Sequence, residues 1–295
     1  MGRDGGSDGG SLVILSSDRL AVEVAEPGAV YRGSRFDWTG TVTQVTLDGR
    51  HTFCGAEPPG GTGGVGLHNE FGLFAAIGYD EAAPGGRFPK LGVGLLTRPD
   101  DGPYQFARPH EIEPFPMSAS ATSDSAEFAV EPRECRGYAA RLVKRLAADG
   151  NTLRIGYELE NTGAKPLETH EYVHNFLSLD GRTVGPDYRL SVPTAGLGWL
   201  TPPLEAGEGL ITWAGTPTEA FYGRTSGFSH ATPCWELSCG GLIVRECTDR
   251  PWETFALWGT ATVVSPEAFV AVRVPPGETF FWQRTYTFTC GDTNR

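Results

Sequence analysis

Glycine and proline punctuate this chain so densely that few segments leave room for a helix of ordinary length. Forty glycines and 22 prolines are spread through 295 residues; glycine weakens a helix interior and proline breaks it. The stretches between them alternate instead. Leu20–Val24, Thr41–Leu47, Leu153–Leu159 and Phe269–Val274 step between apolar and polar residues with period two, the pattern of half-buried strands. Asp-Gly pairs in Leu47–Arg50, Ala148–Asn151 and Leu179–Arg182 predict hairpin turns, because such turns need positive φ. The one candidate helix, over Phe71–Ile77, is interrupted by Gly72 and followed by Gly78. These features predict an all-β chain whose strands pack as a sandwich or close as a barrel. Residues 1–16 read as a disordered glycine-rich tail, and residues 17–292, which contain no linker or repeat, as a single domain.

Composition narrows the partners. Thirty-six acidic against 24 basic residues give a formal charge of −12 with no basic stripe, which disfavours nucleic acid and anionic membrane. No apolar run approaches the roughly 18 residues of a membrane span, and Met1–Ser11 lacks the apolar core of an export signal. The expectation is a cytoplasmic monomer or homodimer. The six cysteines contain no CxxC pair and are read as reduced, mostly buried thiols rather than a zinc cluster or disulfide framework. Gly60–Gly66 is not followed by Gly-Lys-Ser/Thr and reads as a surface loop rather than a phosphate cradle. The sequence also lacks the Gly-x-Ser-x-Gly elbow and the His-Glu-x-x-His helix.

Two of the six histidines fall within Glu168–Phe176. On a strand, His170, Tyr172 and His174 share one face, and Glu171, Val173 and Asn175 the other. This is either a chemical face, suited to proton transfer near neutral pH, or one hydrogen-bonded core histidine with a second at the rim.

The segment Asn161–Gly181, with an Asn-Thr-Gly-x-x-Pro turn leading into this strand, resembles the galactose mutarotase (aldose 1-epimerase) superfamily. Phe255–Thr260, Ser265–Phe269 and Pro276–Thr279 resemble that family's closing strands, and the likeness extends over about Leu20 to Cys290. It implies a β-supersandwich of large antiparallel sheets with a concave sugar-binding face, acting without metal or organic cofactor. By the resemblance His174 is the general acid and Glu267 the general base; a solvated glutamate at a strand start is the other reading of Glu267. His68, in a partial match to the family's Leu-His-Gly-Gly, is either a site residue or a polar loop residue. Arg35 and Lys90 are candidates to hold sugar hydroxyls or to form surface salt bridges. Trp258 is the candidate aromatic wall, and His230 resembles the histidine of an Asp-His pair with Ser229 in the aspartate's place. Phe176 stands where the family usually has tyrosine. The implied partner is a small-molecule sugar or glycoside. The implied activity is an isomerase interconverting anomers of a hexose or modified sugar. The alternatives are a non-catalytic carbohydrate-binding protein and a glycoside- or secondary-metabolite-processing enzyme on the same fold.

Overall fold

In the computed structural model, which describes residues 11–193, 203–207, 209–226 and 233–291, the alternating segments assemble into two large antiparallel sheets. One has nine strands. Its path runs Leu12–Ser16, Leu20–Ala25, Thr41–Leu47, Leu67–Phe71, Leu167–Asn175, Val264–Val274, Trp252–Gly259 and Phe221–Ser226, with His51–Thr52 paired to Thr41–Leu47. The other has ten, with Leu242–Thr248, Thr279–Cys290, Thr152–Asn161 and Ala140–Asp149 side by side at its centre. A three-stranded sheet, Arg87–Lys90, Gly94–Thr97 and Ile112–Pro114, stands apart with its own small apolar cluster around Phe88 and Tyr79. The all-β prediction holds, as a sandwich.

Alternation places one face of the nine-stranded sheet against the ten-stranded sheet. Phe71 meets Tyr157 and Trp282 edge-on, and Tyr157 stacks on Trp282 at 4.9 Å between ring centroids. The charged groups of this core are partnered. The guanidinium of Arg284 donates to Glu171 and Glu246, and Glu171 also accepts from Trp282 and Asn69. Tyr172 and His174, on the opposite face, are thereby carried on a strand anchored from behind.

Four expectations are corrected. Leu12–Ser16 is not part of a disordered tail, because it pairs with Leu20–Ala25 in full antiparallel register. Phe71–Ile77 is not a helix, because Phe71 ends a strand and Gly72 turns the chain at φ 65°. The one helical turn among the described residues is a 3-10 turn at Leu179–Gly181; Asp180 takes φ 51° there, yet the turn leads from one sheet to the other instead of closing a hairpin. Finally, Cys234 and Cys247 form a disulfide, because the Gly240-Gly241 hairpin sets them directly opposite on adjacent strands, 4.2 Å apart at Cα. Cys54 and Cys239 are buried free thiols, Cys135 is half-buried and Cys290 exposed. No helix among the described residues is long and apolar enough to cross a membrane.

Candidate active site

The outer face of the nine-stranded sheet carries a row of side chains in register. His68 lies opposite His174, and Glu267 opposite Ala256, which is in turn opposite Arg224. Within the row His174 Nε2 and Glu267 Oε1 are 3.3 Å apart. The pair lies at the base of a cavity of about 460 Å³, within the usual range for small-molecule sites.

Each member is held. The Ser265 hydroxyl accepts from the Asn175 backbone N–H at 2.9 Å and donates to Glu267 Oε1 at 3.0 Å, so its proton has one direction to point. His174 is stacked on Phe176 at 4.1 Å with ring planes 11° apart, and meets the edge of Trp258 at 4.9 Å. Its Nδ1 is buried without a partner among the described residues. Gly64 lets the Phe176 ring lie flat against the loop, since any Cβ there would overlap the ring. Gly64→Ala should therefore tilt Phe176 off His174, destabilising the fold by about 1–3 kcal/mol through overpacking and lowering ligand affinity. Thermal denaturation and ligand titration check both.

Burial governs the electrostatics of the pair. Glu267 is pushed up to about 8 by burial, against the opposing pull of Arg35 and the Ser265 hydroxyl. Burial also lowers His174 well below the ordinary histidine value, assisted by the positive charge of Arg35 and by His68. At neutral pH burial favours the uncharged form of the pair, with a proton on the carboxyl. A carboxyl raised in the folded state stabilises fully below the unfolded value of 4.5 and loses that contribution as pH rises through about 8. The wild-type unfolding free energy should thus fall between about pH 5 and 8 with a component of up to about 1.4 kcal/mol per pH unit, and the component should level off above that. That component should vanish in Glu267→Gln; an unchanged slope would refute the shift.

Beneath the cavity runs a buried ionic network. Arg35 donates to Glu70 at 2.9 Å, Tyr172 at 3.0 Å and Thr62 at 3.0 Å; Tyr172 donates to Glu70 at 2.6 Å and Lys90 to Glu70 at 3.3 Å. Burial opposes charge on Arg35, but Tyr172 and Glu70 outweigh it and hold the group firmly protonated. Thr62 also ties the network to the glycine-rich loop, which wraps the Glu57 carboxylate: the backbone N–H groups of Thr62 and Gly64 and the Thr62 hydroxyl all donate to Glu57 Oε2.

Of the residues singled out in the sequence, Arg35, His174, Trp258 and Glu267 line the cavity. Tyr172 and Lys90 lie below it in the Glu70 network, Lys90 in a buried ion pair rather than a surface one. His68 is fully buried, stacked on Phe36 at 4.6 Å; its Nδ1 accepts from the Val65 N–H, which leaves Nε2–H for Thr41. It supports Phe36 instead of reaching the cavity. His170 is at the surface, 2.6 Å from Glu253. His230 lies outside the described residues. Sequence reasoning missed Glu57, Phe74, Phe106, Tyr222 and Arg224, which also line the cavity. Tyr222 and Arg224 were accessible, being two apart on the strand Phe221–Ser226. Among the described residues no three His, Cys, Asp or Glu side chains converge as a metal site would require.

No family model matches the sequence, and no curated protein does. Solved structures match over nearly the whole chain. Slr1438 protein from Synechocystis sp. PCC 6803 is 15% identical with a TM-score of 0.61, covering 95% of this chain and 96% of that one. A galactose mutarotase-like protein from Lactobacillus casei is 13% identical with a TM-score of 0.59, covering 95% and 100%. The chain adopts the galactose mutarotase-like fold. The GalM/aldose epimerase homologue from C. elegans shares this fold at 11% identity, with a TM-score of 0.54 and coverage of 96% and 100%. At these identities the likeness is one of fold, and function is argued from the site.

Proposed function

We propose that this protein is an aldose-1-epimerase-like isomerase that interconverts the anomers of a hexose or modified sugar, with His174 and Glu267 as its acid–base pair. The observation that carries the reading is the 3.3 Å separation of the two groups at the base of a cavity of sugar size. Ring opening of a hemiacetal needs one proton taken from the anomeric hydroxyl and one given to the ring oxygen. Both oxygens are bonded to the same carbon, so a base and an acid side by side can serve them together.

The pair shares one proton. Burial favours its uncharged form, with the proton on Glu267; moving it to His174 gives the carboxylate base and imidazolium acid that the reaction uses. Glu267 then takes the anomeric hydroxyl proton as His174 protonates the ring oxygen, and the bond from that oxygen to the anomeric carbon breaks to leave an aldehyde. Rotation about the adjacent carbon–carbon bond and the reverse transfers give the other anomer. Trp258 and Phe106 offer aromatic surface for the apolar face of a sugar ring.

Two-dimensional exchange NMR on a panel of free aldoses and uronic acids tests the proposal. Accelerated anomer exchange for at least one sugar, lost in Glu267→Gln and in His174→Asn, is the expected result. Ligand-induced shifts that persist in both variants, with no acceleration by the wild type, would instead indicate a carbohydrate-binding protein.

A further inference from the structure

The acid–base pair leaves one charged wall of the cavity unused. Arg224 lies on that wall, in the same cross-strand row as Glu267, with only Ala256 between them. Two strand spacings put the Glu267 and Arg224 backbones about 10 Å apart, a span that one pyranose with an exocyclic substituent can bridge. Alanine in the intervening position keeps that space from being filled by a long side chain, and Leu73, packed with Ala256, Tyr172 and Phe269, gives it an apolar floor.

The guanidinium is presented, not merely exposed. Its central carbon lies 5.0 Å over the Phe74 ring. Phe74 stacks on Phe269 at 5.8 Å, and Phe269 on Tyr172 at 4.3 Å. This run of planar groups fixes the height of the fork above the sheet, where it also hydrogen-bonds the Tyr222 side chain of the same wall; with five donors, a guanidinium has others left for a ligand. Among the described residues no carboxylate pairs with Arg224.

The other charges near the cavity are already matched. Glu70 sits between Arg35 and Lys90, and Glu57 Oε2 is wrapped by three donors of its own loop. Glu267 is held protonated by burial. A chain of net charge −12 thus places in the wall of its cavity a cation with no carboxylate partner among the described residues.

The geometry points to a sugar bearing a carboxylate or phosphate on its exocyclic carbon, the anion bound by Arg224 while the anomeric carbon rests on His174 and Glu267. Which end of the sugar lies where rests on the isomerase reading; the anion contact does not. A charge-assisted fork contact of this kind favours the acidic sugar over its neutral parent by about tenfold or more in affinity.

The test is NMR titration of the wild type and Arg224→Gln with glucuronate, galacturonate, glucose 6-phosphate and galactose 6-phosphate, beside glucose and galactose. Anomer exchange is read in the same samples, and circular dichroism confirms that the variant is folded. At least one acidic class should bind about tenfold more tightly than its neutral parent, and Arg224→Gln should reduce that ratio about tenfold; whichever class it is identifies the anion as carboxylate or phosphate. Arg224→Lys, which keeps the charge but not the fork, should restore part of the ratio. A ratio unchanged in Arg224→Gln, or acidic sugars that bind no better than neutral ones or not at all, would overturn the inference even if exchange is accelerated. Conversely, Arg224-dependent binding of an acidic sugar without accelerated exchange would leave the anion site standing and remove the isomerase reading.

Discussion

Glu267→Gln should lower the rate of anomer exchange by about 10²–10⁴-fold, the range over which a positioned acid or base contributes. Glutamine keeps the size of the side chain and retains an oxygen to accept from the Ser265 hydroxyl, so the loss reports proton transfer rather than collapse of the site. His174→Asn should cost a similar factor, because ring opening needs both transfers. The two residues act as one unit, so the double variant should be scarcely slower than either single one; independent contributions would multiply. The rate also carries a pH signature. The pair works with one shared proton, so exchange should decline as pH rises past about 8, where Glu267 loses it. On the acid side the decline should come only well below the ordinary histidine range, because protonating the pair a second time must overcome the burial of His174. A Glu267→Gln variant exchanging at the wild-type rate would remove the carboxyl from the mechanism.

How much of this was legible in the sequence differs between the sheets and the cavity walls. Period-two alternation depends only on neighbours along one strand, so Thr41–Leu47 was located to the residue and Thr152–Asn161 within two. The same alternation put His174 and Tyr172 on one face and Glu171 on the other, as found. Pairing His174 with Glu267 was a different matter. The two are 93 positions apart, and only the resemblance to a family of known arrangement linked them. The walls come from loops and an edge strand whose approach is set by tertiary packing; Phe106 over the Arg35 guanidinium, 4.5 Å away, leaves no local trace. The disulfide left one. Cys239-Gly-Gly-Leu242 is a two-residue hairpin signal, and counting outward from it sets Cys234 against Cys247. Reading the cysteines by motif spacing instead of by strand pairing concealed it.

Arg284→Met should be the most destabilising single substitution in the core, at about 3–5 kcal/mol or more. Arg284 is completely buried between the two sheets and donates to Glu171 at 2.7 Å, to Glu246 and to the Ala268 carbonyl at 2.8 Å. Removing it strands two buried carboxylates at once. Glu246 is raised by burial even with the arginine present, so in the variant it should rise further and become protonated in the folded state. Raised carboxyls favour folding at low pH and oppose it as pH increases. The stability deficit of Arg284→Met should therefore be smaller at pH 5 than at pH 8, as read by chemical denaturation. Adding Glu171→Gln and Glu246→Gln, which keep acceptors for the Trp282 and Trp235 indoles but carry no charge, should abolish that pH dependence and recover part of the loss. A simple packing role for Arg284 predicts a deficit independent of pH and no recovery. Glu171 immediately precedes Tyr172 and lies three residues before His174 on the same strand. The ionic cluster thus fixes from behind the strand that presents the acid–base pair in front, and partial loss of exchange activity in Arg284→Met below its unfolding transition would measure that coupling.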